Sequence, residues 1–215
     1  MFLSKEFFWH VVRKSGLGSL ILQFHPKSAL VLNGWYRSFR ENSAVDFYGV
    51  SIPWWTYSFI DFIDKRLSRD LRVFEYGCGN STIWFSKRVL EIISLEHDTL
   101  WADKISLQLR PDKNCKVIVR GLADDYVEEI NKHGQFDIII IDGRLRLDCF
   151  RQSLSVLSLK GIIIWDDSNM LDFAEAYAIA SKLGFRELSF SGMVPAIFIP
   201  SQTSILYRDH NCLGI

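Results

Sequence analysis

The sequence predicts a doubly wound α/β domain built on a mostly parallel seven-stranded sheet, with an antiparallel edge hairpin and an N-terminal helical cap. Three observations carry this. From residue 71 onward, short β-branched runs alternate with helix-patterned stretches. The runs are close to unbroken Ile and Val, as strands are when both faces are buried. The last two runs leave no room for a helix between them, so they must pair antiparallel at the edge.

In chain order the predicted strands are "RVFEY" (72–76), "EIISLEH" (91–97), "CKVIVR" (115–120), "FDIIIID" (136–142), "GIIIWDD" (161–167), "FRELSFSG" (185–192) and "TSILYRD" (203–209). Helices are expected over 80–89, 98–109, 122–132, 145–158 and 171–183, the last stopped by Gly184. Pro195 and Pro200 mark residues 192–202 as an irregular connection. Six of the seven strands then run parallel.

Residues 1–70 form the cap and 71–215 the sheet domain, with no separate linker. The cap is rich in aromatics, as in "GWYRSFR" and "PWWTYSFIDFI", and shows no strand rhythm. A helix is expected over 54–67, because proline suits a first turn and Pro53 precedes it. The opening "MFLSKEFFWHVVRKSG" is interrupted by Lys5, Glu6, Arg13 and Lys14, too soon for a membrane span and without a small-residue cleavage site. It reads as an amphipathic helix packed on the domain, with membrane-surface contact as the lesser reading.

Composition narrows the class of partner. With 25 basic and 25 acidic side chains, the chain has no overall footprint for nucleic acid. Cys78, Cys115, Cys149 and Cys212 show no CxxC spacing, so they read as reduced, buried thiols of a cytoplasmic protein. A small-molecule partner, no transmembrane segment and no nucleic acid are expected. A homodimer is compatible with the sequence.

Chemistry concentrates at the corner "VFEYGCGNST" (73–82), where the first predicted strand meets a helix. Gly77 and Gly79 permit a sharp turn and close approach of a ligand to the backbone. The amides opening the helix favour a negative group. A dinucleotide site would want a third glycine where Thr82 stands, and an apolar residue in place of Glu75. Nicotinamide-dependent oxidoreduction is therefore the competing reading, with a non-catalytic binding module as a third.

The corner resembles the first motif of class I S-adenosylmethionine-dependent methyltransferases, whose pattern is acid-x-Gly-x-Gly. The resemblance implies a Rossmann-like methyltransferase fold and a cofactor whose methionine portion is wrapped by Glu75, Gly77 and Gly79. Ser81 stands where many members carry glycine and offers a hydroxyl and a helix cap, with Thr82 beside it. Glu96, closing "IISLEHD", stands where the family's acid accepts both ribose hydroxyls, next to His97. Leu122, Ala123 and Asp124 fall where adenine is often touched. Asp142 matches the exit of the fourth strand.

The same resemblance frames the acceptor. Asp142, Asp166 and Asp167 take the places of the metal-binding acids in catechol-type O-methyltransferases, which implies Mg²⁺ or another divalent cation. That family's lysine base falls on Leu145, flanked by Arg144 and Arg146, so a guanidinium clamp replaces it. Asp142 and Arg144 are the expected catalytic residues. O-methylation of a small molecule or sugar follows, since no Asn/Asp-Pro-Pro-Tyr amino-methylation motif is present. Trp54, Thr56 and Tyr57 are the candidates for closing over the site.

Overall fold

In the computed structural model, which describes residues 5–109 and 113–215, one seven-stranded sheet organises the chain. Its strands are β1 (Arg72–Tyr76), β2 (Glu91–Glu96), β3 (Cys115–Val119), β4 (Phe136–Ile141), β5 (Leu157–Trp165), β6 (Arg186–Val194) and β7 (Ile197–Tyr207). The spatial order is β3-β2-β1-β4-β5-β7-β6. Only β7 runs against the rest, pairing antiparallel with both β5 and β6. The strand order reverses between β1 and β4, which pair directly in parallel. That reversal puts a crevice beyond their carboxyl ends.

The isoleucine run of β4 shows why the strands read as unbroken. Ile139 and Ile141 face a core that includes Phe74, Tyr76, Leu95, Phe150, Trp165 and Phe173. Ile138 and Ile140 face the opposite core, with Val73, Ile92, Phe59, Trp84 and Phe85. Side chains alternate across a strand, so a sheet covered on both faces needs apolar residues at every position.

Nine α-helices occur among the described residues. Five precede the sheet: α1 (Lys5–Lys14), α2 (Leu17–Gln23), α3 (Ala29–Leu32), α4 (Trp35–Glu41) and α5 (Tyr57–Asp64). Four lie between strands: α6 (Asn80–Ser86), α7 (Thr99–Leu109), α8 (Arg146–Ser153) and α9 (Leu171–Lys182).

Five expectations need correction. The helix expected over 145–158 ends at Ser153, and β5 begins at Leu157 rather than at Gly161. The helix expected over 54–67 starts only at Tyr57, because Trp55 is buried in the core and Trp54 turns toward the crevice. Residues 122–132 hold a turn and then a 3₁₀ helix, Glu128–His133. Residues 192–202 are no irregular loop: β6 and β7 continue to Val194 and Ile197, with Ala196 in the left-handed region at φ 62°. The first helix forms but packs on α2, with Phe8 and Val11 left exposed. Of the four cysteines Cys149 alone is fully buried; Cys78, Cys115 and Cys212 are half-buried.

Candidate active site

The crevice beyond β1, β2, β4 and β5 is a cavity of about 700 Å³. Gly77, Gly79, Ser81, Glu96, His97, Trp101, Asp142, Arg144, Arg146 and Asp167 all contribute to its wall.

The corner is held from beneath. Glu75 is buried at the end of β1, and its carboxylate accepts hydrogen bonds from three hydroxyls: Ser81, Thr82 (2.6 Å) and Ser94 (2.7 Å). Burial pushes the Glu75 carboxyl up to about 7, against the pull of those hydroxyls. Gly77 has φ 98°, and a Cβ there would meet the Asp142 carbonyl oxygen at 3.0 Å. Only glycine tolerates both conditions. Gly79 is the N-cap of α6, and its N–H donates to Thr82 Oγ1 (3.0 Å) three residues into the helix. Ser81 is not the cap, because its hydroxyl is committed to Glu75. Thr82 is buried behind the corner and does not line the cavity.

Glu96 is fixed by backbone amides. Its Oε1 accepts from His97 N–H (2.7 Å) and Asp98 N–H (2.9 Å), and its Oε2 from Cys78 N–H (3.1 Å). His97 Nδ1 lies 2.7 Å from Oε1. Each carboxylate oxygen can take about two donors. Oε1 is therefore filled, and Oε2 keeps room for a hydroxyl arriving from the cavity. Trp101 of α7 reaches across the loop, its indole N–H donating to the Cys78 carbonyl (2.7 Å). Nothing in the local pattern marks Trp101, which stands in a helix of ordinary periodicity.

Asp142 follows β4 at the cavity floor, with 27% of its side chain open. Burial pushes its carboxyl up to about 6; Arg146 opposes the rise and Asp167 adds to it. Leu145, at φ 51°, bends the chain just before α8 and turns Arg146 inward. Arg146 donates to the Asp166 carbonyl (2.6 Å) and the Gly143 carbonyl (3.2 Å). Its guanidinium also lies 3.6 Å from Asp142 Oδ1 and 3.5 Å from Asp167 Oδ2. Arg144 instead stays exposed at the cavity edge.

The three aspartates do not fit a divalent cation. Asp166 Oδ1 accepts from Thr203 Oγ1 (2.8 Å), and Asp167 Oδ1 accepts from Ser201 Oγ (2.8 Å). Arg146 stands where a shared cation would have to sit, between Asp142 and Asp167. Among the described residues no three carboxylate, imidazole or thiol groups converge to hold a metal. The expectation of a metal at Asp142, Asp166 and Asp167 is corrected accordingly. Burial and the neighbouring Asp142 carboxylate instead push Asp166 well above the usual carboxylate range.

Three further sequence candidates fall outside the cavity wall. Ala123 is exposed on the turn after β3, which closes by an Asp124 N–H bond to the Gly121 carbonyl (2.9 Å). Thr56 is buried against Thr203, and Tyr57 packs into the core on the α5 side. Trp54 does line the cavity.

The sequence matches no protein-family model and no curated protein. Solved structures do resemble it. An rRNA methylase from Streptococcus thermophilus is 16% identical, with TM-score 0.55 over 69% of this chain and 92% of that one. Precorrin-6y C5,15-methyltransferase from Geobacter metallireducens is also 16% identical, with TM-score 0.55 over 70% and 87%. A Streptococcus mutans protein solved in complex with SAH is 16% identical, with TM-score 0.51 over 68% and 94%. The chain thus has the class I methyltransferase fold, a seven-stranded mixed sheet with an antiparallel edge pair.

Proposed function

We propose that the chain binds S-adenosylmethionine in the crevice and is a methyltransferase acting on an oxygen of a small molecule or sugar. The observation that carries this reading is Glu96: a buried carboxylate at the end of β2, locked by three amides, with one oxygen open to the cavity. That open oxygen can accept a ribose hydroxyl in a charge-assisted hydrogen bond. The solved relative that holds SAH has the same fold.

When bound, the cofactor supplies a methyl group on a sulfonium, open to in-line displacement. The protein's part is positioning and proton removal. Gly77 and Gly79 let the methionine portion approach the backbone, while Glu75 braces the loop through its three hydroxyl partners. Trp101 and Trp54 wall the cavity. Asp142, with its carboxyl raised to about 6, is the base for the acceptor hydroxyl near neutral pH. Arg146 keeps that carboxylate from climbing further, and Arg144 remains available to an anionic part of the acceptor. The balanced overall charge supports a small acceptor over a nucleic acid.

Calorimetric titration with S-adenosylmethionine, with NADH as control, tests the reading. Micromolar binding is expected for the first and none for the second. Glu96→Ala should weaken the first by about tenfold to a hundredfold, the value of a charge-assisted hydrogen bond or two. Unchanged affinity in that variant would remove Glu96 from the site.

A further inference from the structure

The side chains of α1–α4 carry a second surface that the crevice does not use. Residues 1–40 hold six of the chain's 25 lysines and arginines but a single acid, Glu6. Residues 1–40 are thus basic and the remainder acidic, although the whole is neutral; Arg37 and Arg40 lie within ion-pair reach of Glu41, so the basic character rests mainly on Lys5, Arg13, Lys14 and Lys27. The basic residues are Lys5, Arg13, Lys14, Lys27, Arg37 and Arg40.

Large apolar side chains lie exposed among them. α1 and α2 form a tight helical hairpin, in which a Cβ on Gly18 would overlap Val12. Outside that contact Phe8 (55%), Leu20 (54%), Ile21 (71%) and Phe24 (66%) are exposed. The apolar surface continues toward the crevice. Phe24 stacks on Tyr36 at 4.9 Å, Tyr36 meets Trp35, and Trp35 stacks on Phe39. The Trp35 indole N–H then donates to the Ile197 carbonyl (2.9 Å), joining the belt to the β6–β7 turn, where Phe198 is 78% exposed. Ile197 and Ile199 belong to both this belt and the cavity wall.

We infer that this face docks the protein on the surface of an anionic phospholipid bilayer. Two features select that occupant. Lysine and arginine interleaved with Phe, Ile, Leu and Trp is the composition of helices that lie in the lipid interface, apolar side chains in the acyl boundary and basic ones at the headgroups. A second copy would bring the same positive charge against itself, and an RNA would leave Ile21, Leu20 and Phe198 without a role. The belt ends at the cavity wall, so a docked molecule holds its crevice beside the membrane surface.

Flotation of the full chain with vesicles tests this. One set is pure phosphatidylcholine and the other contains about 30% phosphatidylglycerol, in the range where anionic headgroups attract basic segments. Binding to the anionic set should exceed binding to the neutral set roughly tenfold, and should fall roughly tenfold from low to high salt. Ile21→Ser with Phe198→Ser, and separately Arg13→Glu with Lys14→Glu, should each reduce it at least roughly fivefold. All four positions lie outside the crevice, so S-adenosylmethionine affinity should be unchanged in these variants and reports separately on the reading above. Absence of anionic-vesicle binding overturns the inference. So does a concentration-dependent dimer that the Ile21 and Phe198 changes dissolve, or salt-sensitive binding to RNA in place of vesicles.

Discussion

The corner after β1 and the helical hairpin at the N-terminus treat their side chains in opposite ways. At the corner most polar groups are spoken for within the fold, with one oxygen of Glu96 left to the cavity. Glu75 holds three hydroxyls, Glu96 holds three amides, and Arg146 ties β4 to β5. In α1 and α2 the large side chains point outward, with Ile21 and Phe24 mostly exposed. One region is stabilised by what it contacts inside the molecule and offers a preformed cavity. The other keeps its binding surface for something outside. Substitutions should therefore cost stability at the corner and almost none in the hairpin.

The largest effect is expected from Glu75→Ala. It strips the acceptor from Ser81, Thr82 and Ser94 and opens a polar hole, at a cost of about 3 kcal/mol by urea unfolding. Gly77→Ala should cost about 2 kcal/mol and abolish cofactor binding in calorimetry, since φ 98° and the Asp142 carbonyl both reject a Cβ.

A third test uses pH. The Glu75 carboxyl is raised to about 7 in the folded chain from an ordinary value of 4.5. The folded state then holds a proton the unfolded state has lost, so stability falls as pH rises from 4.5 through about 7. Urea midpoints should show that fall, and Glu75→Gln should reduce it, leaving the part that the raised Asp142 and Asp166 carboxyls contribute with the same sign. The smallest effect belongs to Ile21→Ser, which should move the urea midpoint by less than about 0.5 kcal/mol equivalent. A large loss there would mean the hairpin is part of the core, and the comparison would fail.

The sheet was legible because its signals are local. Ile138 to Ile141 announce a strand buried on both faces, and Glu75, Gly77, Gly79 and Glu96 stand at the ends of such strands, where the resemblance to the methyltransferase motif singles them out. The rest depended on contacts between distant parts of the chain. Arg144 and Arg146 look equivalent beside Asp142, and the left-handed turn at Leu145 decides that Arg146 points in. Asp166 and Asp167 suggest a metal until Thr203 and Ser201, more than thirty residues on, are seen to take one oxygen of each, with Arg146 beside the other oxygen of Asp167. Trp101 reaches the glycine loop from a helix whose pattern gives no hint of it.

If the proposed function holds, the glycine corner and Glu96 receive S-adenosylmethionine in the cavity as it stands. Amide hydrogen exchange, with and without the cofactor, tests it most directly. Slower exchange is expected in peptides covering residues 76–84 and 95–101, with residues 5–41 unchanged. No slowing at the corner under saturating cofactor, or protection confined to the N-terminal helices, would contradict it.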